Sequence, residues 1–267
     1  MSAFAQALGD GAVVAKRNLI KIKRVPDLIV FSTLSPIMFV LLFAYVFGGS
    51  IEIPGMDYRE FLMAGIFAQT VVFGATITGA GLADDIQKGV IDRFRSLPMA
   101  RSAVLIGRTT SDLANNVIVI VVMSITGLIV GWRIHSSFLE ALAGFALLLL
   151  FAYAVSWGMA IVGLMVRSPE VFNNASFIAI FPLTFIANTF VQESRLPGPL
   201  KTFAEWNPVS AVTAAARELF GNTNPNAPVP DVWSLQHPVL TTLIWVAVFL
   251  LVFVPLAIRQ YRKAVAR

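Results

Sequence analysis

Few side chains in this sequence are equipped for acid-base or covalent chemistry, and their spacing narrows the choice further. Two histidines, His135 and His237, offer little material for a general base, and both read as residues of a membrane-water interface. Cysteine is absent, which excludes disulfides, zinc-thiolate sites and iron-sulfur clusters. No phosphate-cradling G-x-x-x-x-G-K-S/T loop, zinc-protease H-E-x-x-H helix or G-x-S-x-G elbow occurs. Arg108 and Asp112 stand four apart near the end of an apolar segment and read as a structural i,i+4 pair. Ionisable groups deep in apolar segments are the usual mark of intramembrane enzymes and proton-coupled carriers, and none lies mid-segment here. The remaining candidates are uncharged. Gln69, Phe73, Phe181, Phe185 and Asn188 could line an amphipathic cavity for a large apolar molecule with a few polar groups. Packing is the competing explanation for each of them, as it is for Gly74, Gly79, Gly81, Asn115 and Asn116, because small residues and amides also draw membrane helices together.

The elements that must hold such a cavity are set by hydropathy. Of 267 residues 57% are hydrophobic and only 13% charged, about half the charge of an ordinary soluble domain, and the mean hydropathy is +0.77. A soluble enzyme is excluded on that balance. Six apolar segments, over about 28–47, 61–83, 113–131, 138–166, 171–191 and 239–258, are each long enough to cross a bilayer. The fold expected is an all-α polytopic membrane protein with six transmembrane helices. Fifteen of the twenty Lys and Arg residues precede the first segment, follow the sixth, or lie between the second and third or the fourth and fifth. That bias predicts a multi-pass protein of the plasma (inner) membrane with both termini cytoplasmic and a basic tail at 259–267. A cleaved signal peptide fits poorly, because the first segment is too long and lacks a small-x-small site after it.

Three amphipathic pieces lie outside the segments. In 1–27, Phe4, Leu8, Val14, Leu19, Ile22 and Val25 fall on one arc opposite Lys16, Arg17, Lys21, Lys23 and Arg24, with Val13 and Ile20 misplaced. This predicts an N-terminal interfacial helix held by apolar burial and anionic lipid, against the alternative of a disordered basic arm. Within 84–101, Val90, Ile91, Phe94 and Leu97 make an apolar stripe and Pro98 stops the helix. A helix of this kind, with arginines beside an exposed phenylalanine, suits docking to a partner; a loop lying back on the bilayer is the alternative. In the outer excursion 192–238, Asn207 is placed to cap a helix, Pro208 to begin it and Gly221 to end it. Too short to span, it is expected as an outer re-entrant or interfacial helix, followed by the extended run 224–230.

At Lys88 to Arg108 the sequence reads KGVIDRFRSLPMARSAVLIGR, and with these residues the chain resembles the membrane-spanning permease subunits of type 2 ABC exporters, most of all the daunorubicin-resistance (Drr) permeases. The stretch NPVSAVTAAARELFG at Asn207 to Gly221 is similar to the family's outer motif. The resemblance implies that 84–101 is a cytoplasmic coupling helix, with Asp84, Asp85, Gly89, Asp92, Arg93, Phe94, Arg95, Leu97 and Pro98 meeting a separate nucleotide-binding ATPase subunit. It also implies pairing with a second permease copy or a homologous permease, no cofactor on this chain, and ATP with Mg on the partner ATPase. A hydrophobic substrate (a drug, natural product or lipid) would be exported along a path lined by the first, second and fifth segments. Membrane lipid is an expected partner; nucleic acid and metal are not expected. The rival readings are an ion-coupled secondary transporter and a non-transporting membrane scaffold.

Overall fold

The computed structural model describes residues 3–24, 27–48, 53, 55–91, 102–191, 196–224 and 231–265. Among them the structure is helical, with turns and one isolated bridge between Ile53 and Met56. The helices are α1 (Ala3–Arg24), α2 (Asp27–Leu41, passing into a π-helical stretch Leu42–Phe47), α3 (Tyr58–Gly74), α4 (Thr76–Gln87), α5 (Ala103–Val130) and α6 (Phe138–Met165). They continue with α7 (Pro169–Phe185), α8 (Gly198–Trp206), α9 (Pro208–Phe220), α10 (Trp233–Gln236) and α11 (Pro238–Val265).

Local chemistry accounts for most of the helix ends. Asp57 accepts from the Arg59 N–H, Ser137 and Glu140 form a reciprocal capping box, and Ser168 accepts from the Val171 N–H. Gly131 and Gly221 follow α5 and α9 with positive φ, where a residue without Cβ closes the last turn at no steric cost.

Among the described residues, four helices are long and apolar enough to cross a membrane: Tyr58–Gln87, Ala103–Val130, Phe138–Met165 and Pro238–Ala264. The first of these is α3 and α4 joined through Ala75. The first and fifth apolar segments of the sequence are also helical, though α7 stops at Phe185, before the apolar segment ends. Helix α5 starts ten residues ahead of the clean apolar stretch, and α11 carries on through the expected tail to Val265.

Helix α6 is the hub of the bundle, packing on α3, α4, α5, α7, α9 and α11. Its approach to α4 depends on two glycines. A Cβ on Gly163 would collide with the backbone of Gly79, and one on Gly79 with the Phe172 ring and the Met159 carbonyl. Such small-residue contacts let helix backbones meet without a layer of side chains.

Helix α1 lies along α5 rather than apart from the bundle. Val14, Ala15 and Asn18 are buried there, and the Asn18 amide donates to Ser111 Oγ at 3.2 Å. Val13 and Ile20, the two misfits of the helical projection, point outward. Proximity of α1, the end of α4 and the start of α5 gathers Arg17, Lys88 and Arg108 at one end of the bundle, the basic end. The opposite end holds the starts of α3 and α6 together with α9, tied by Trp132 Nε1 to Asn222 Oδ1 at 2.8 Å and by Arg59 to the Val130 carbonyl at 3.1 Å.

Candidate functional site

A cavity of about 490 Å³ opens between α2, α3, α4, α5 and α7. Gln69, Phe73, Phe181 and Phe185, four of the residues singled out from the sequence, line it together. Asn188 is not part of this wall: its backbone N–H donates to Ser210 Oγ at 3.1 Å and its carbonyl accepts from Arg217, which places it in the packing of α9. Phe39, Thr70, Asn115, Asn116 and Phe177 join the wall. The signal for Phe177 was present in the sequence as an i,i+4 series, Phe177, Phe181 and Phe185, which a helix stacks on one face.

The wall has two characters. On α7 the rings of Phe177 and Phe181 lie 5.0 Å apart at 32°, and those of Phe181 and Phe185 4.1 Å apart at 24°. The stack continues through Phe190, 5.3 Å from Phe185, to Phe43, 4.5 Å from Phe190. Across from α7, Gln69, Thr70, Asn115 and Asn116 supply amides and a hydroxyl and are themselves almost wholly buried. The Asn116 amide donates to the Asp112 carbonyl at 3.2 Å. Its Oδ1 has no hydrogen-bond partner and rests against Gly74, where a side chain would occupy the same space.

Beneath the amides sits the Arg108–Asp112 pair. It is more buried than an interfacial pair: Asp112 Oδ2 lies 3.5 Å from Arg108 Nε and accepts from Thr78 Oγ1 at 2.6 Å. Arg108 also donates to the Ile77 carbonyl at 3.3 Å, so the pair clamps α4 to α5. A buried ion pair needs this kind of extra hydrogen bonding to offset its desolvation.

Helix α9 fixes the far end of α7. Asn207 Nδ2 donates to the Leu183 and Ile186 carbonyls at 2.7 and 2.8 Å, while its Oδ1 caps α9. Arg217 donates to the Phe61, Asn188 and Thr189 carbonyls at 3.0, 2.6 and 3.3 Å. The sequence suggests a helix with one apolar face, yet α9 is buried nearly all round, Arg217 included, with Glu218 exposed. These donors explain why α7 ends before its apolar segment does. Pro182 weakens its last turn, and the carbonyls that the helix would have used are taken by α9.

At the basic end the expected helix 84–101 is interrupted. Helix α4 closes at Gln87, Gly89 takes φ +65°, and a helical turn resumes at Val90 and Ile91. Asp84 pairs with Lys88 at 2.8 Å and Asp85 with Arg17 of α1 at 3.9 Å. Ile91 is buried with Leu82, Val104, Leu105 and Tyr261. Asp92, Arg93, Phe94, Arg95, Leu97 and Pro98 lie outside the described residues, as does the run 225–230 of the outer excursion. Among the described residues no group of three His, Asp or Glu is placed to hold a metal ion.

The family model described as ABC-2 type transporter matches residues 12–220. The daunorubicin resistance ABC transporter permease protein DrrB1 of Streptomyces coeruleorubidus is 33% identical over 92% of this chain and 84% of its own length. The probable doxorubicin resistance ABC transporter permease protein DrrC of Mycobacterium tuberculosis is 25% identical over 86% of this chain and 79% of its own. From the same species, the doxorubicin resistance ABC transporter permease protein DrrB is 26% identical over 73% and 68%.

Proposed function

The chain belongs to the ABC-2 type transporter family and is homologous to permeases of drug-resistance ABC exporters, and on that premise we propose that it is the membrane-spanning permease subunit of an ATP-driven exporter. Its cargo is a hydrophobic or amphipathic compound, a drug, natural product or lipid, taken from the cytoplasm or inner leaflet. The observation that carries this reading beyond family membership is the cavity walled by phenylalanines on one side and amides on the other, with no ionisable residue among the described residues that line it. Such a wall binds through shape, apolar contact and a few hydrogen bonds.

In this reading α2 with its π-helical stretch, α3 with α4, α5, α6, α7 and α11 are six spans. The basic end faces the cytoplasm, so that both termini lie there, and α9 sits at the outer side. Within the N-terminal region 1–27, α1 serves as the interfacial helix, and 84–101 is the segment that meets the ATPase. ATP and Mg belong to that separate subunit, and a second permease, a copy or a homologue, completes the pair.

Force from the ATPase enters between α4 and α5, around Arg93 and Phe94. Three features pass it inward: the Asp85–Arg17 contact to α1, the Arg108–Asp112–Thr78 clamp, and the glycine contact that locks α4 to α6. Because α4 continues α3, displacement at Gln87 reaches Gln69 and Phe73 in the cavity wall. The cavity narrows from the basic end and releases its occupant outward, with intramembrane residues supplying shape and a low-dielectric surface rather than catalysis.

The test is affinity capture of tagged wild type and Phe94→Ala from native membranes in mild detergent, followed by identification of co-purifying chains and an ATPase assay. A Walker-bearing ATPase recovered with wild type and lost or reduced with the variant is the expected result. Intact permease that captures no ATPase returns the secondary-transporter and scaffold readings.

A further inference from the structure

We propose that the basic end of α11 binds an anionic phospholipid of the inner leaflet, with its phosphate among Arg259, Arg262 and Lys263 and an acyl chain along the apolar stripe beside them. The inference goes beyond the export reading and takes from it only that α11 spans the membrane with its basic end inward.

Periodicity supplies the first part of the argument. Pro255, Ile258, Arg259, Arg262 and Lys263 stand at i, i+3, i+4, i+7 and i+8, so they share one face of α11. An open groove of about 530 Å³ runs there, and these residues are its described lining. On the opposite face of the same turns, Ala257 and Tyr261 are buried with Leu82 and Ile91, so the groove looks away from the bundle.

Depth supplies the second part. Away from the basic end the same face continues as Ile244, Val248, Leu251 and Val252, all exposed, and α11 is the least buried of the four long apolar helices. From Ile244 to Pro255 the helix rises about 16 Å, close to the roughly 15 Å of hydrocarbon in one leaflet. The cations begin four residues further on, about 6 Å beyond Pro255, at the depth of a headgroup phosphate. Lipid tails cover any exposed span, but here a charged groove stands in register with a stripe one acyl chain long.

Charge supplies the third part. At the same end of the bundle Arg17, Lys88 and Arg108 each meet a carboxylate, of Asp85, Asp84 and Asp112. Arg259, Arg262 and Lys263 are exposed and make no hydrogen bond or ion pair with any described residue. Arginine forks match phosphate oxygens two at a time, and an ammonium adds a point charge. A zwitterionic choline headgroup would bring its own cation into the same groove. An acidic protein surface would answer the charges but leave the apolar stripe unused.

The test is native mass spectrometry of the purified full chain in mild detergent, titrated with dioleoylphosphatidylglycerol or dioleoylphosphatidylcholine, which share their chains and differ in headgroup charge. Arg259→Gln with Arg262→Gln removes two cations of the groove at exposed positions. Lys16→Gln with Arg167→Gln removes two exposed cations from the same end of the bundle, outside the groove's described lining, and is the charge-matched control. Thermal unfolding checks that both double variants are folded.

Wild type is expected to bind the phosphatidylglycerol about tenfold more tightly than the phosphatidylcholine, the groove variant to show a preference of only about twofold, and the control to keep the wild-type value. Soluble glycerophosphoglycerol, the same headgroup without chains, should not displace the lipid at about a hundredfold excess, because chain burial supplies much of the binding. Equal affinities in wild type, the same loss in the control as in the groove variant, or displacement by the chainless headgroup each overturn the proposal. So does conversion of a wild-type dimer to monomer in the groove variant, which reassigns the face to a second copy. If a variant does not fold, the wild-type preference and the headgroup competition still decide. Capture of an ATPase depends on none of these readings, so the lipid site can fail while the exporter reading stands, and the reverse.

Discussion

Arg217 grips Phe61 twice: its guanidinium carbon lies 3.5 Å from the centre of the Phe61 ring, and its Nε donates to the carbonyl of the same residue at 3.0 Å. The other side of the guanidinium reaches the Asn188 and Thr189 carbonyls, so one side chain of α9 joins the first turn of α3 to the unwound end of α7.

Removing that grip should be costly. Arg217→Ala deprives three buried carbonyls of a charged donor, a loss expected to be about 2–4 kcal/mol, read as a lower unfolding temperature in detergent. Arg217→Lys keeps the charge but lacks the planar fork needed for three separated acceptors and should recover only part of the loss. Wild-type stability in Arg217→Ala would show that water takes over those carbonyls.

The Arg108–Asp112 pair makes a contrasting prediction. Asp112→Leu leaves a buried guanidinium without its carboxylate and should cost about 3–5 kcal/mol. Arg108→Met combined with Asp112→Leu removes both charges and should restore most of the stability. Denaturant titration of the two variants and the double variant measures the coupling, and additive losses would argue against a direct interaction.

Gly79 allows no side chain without movement of α4. Gly79→Val should separate α4 from α6 and cost about 1–3 kcal/mol, as overpacking does elsewhere, with reduced recovery of folded protein from membranes. Gly198 has open space where a Cβ would go, so Gly198→Ala is the matched control and should be silent.

On the export reading, Phe94→Ala and Arg93→Ala should uncouple the partner's ATP hydrolysis from export while leaving the permease correctly inserted. Transport into inverted vesicles and ATPase activity are measured on the same preparations. Full export by either correctly inserted variant would remove these residues from the coupling path.

Much of this fold is legible in the sequence because lipid-compatible helices need long uncharged runs, and the caps at Asn207 and Gly221 use local chemistry that spacing reveals. The π-helical stretch, the early end of α7 and the burial of Arg217 were not legible. Each is decided by partners distant in sequence, as when Arg217 finds carbonyls on α3 and after α7. In the cavity, Gln69, Phe73, Phe181 and Phe185 stand out by residue type within apolar runs. Asn188 has the same appearance in sequence, but only the path of the chain after Phe185 reveals that it faces α9. The break at Gly89 was hidden because Ile86 before it and Val90 after it keep the i,i+4 spacing of an unbroken helix.

The dependence of α7 on α9 also orders the protein's birth. Asn207 follows Leu183 by 24 residues and Arg217 follows Asn188 by 29, so at synthesis rates of about 5–20 residues per second the end of α7 waits roughly one to six seconds for its donors. Backbone carbonyls without partners are poorly tolerated in hydrocarbon. On the six-span reading, the nascent α7 then has reason to stay beside the insertion machinery until Asn207 and Arg217 emerge.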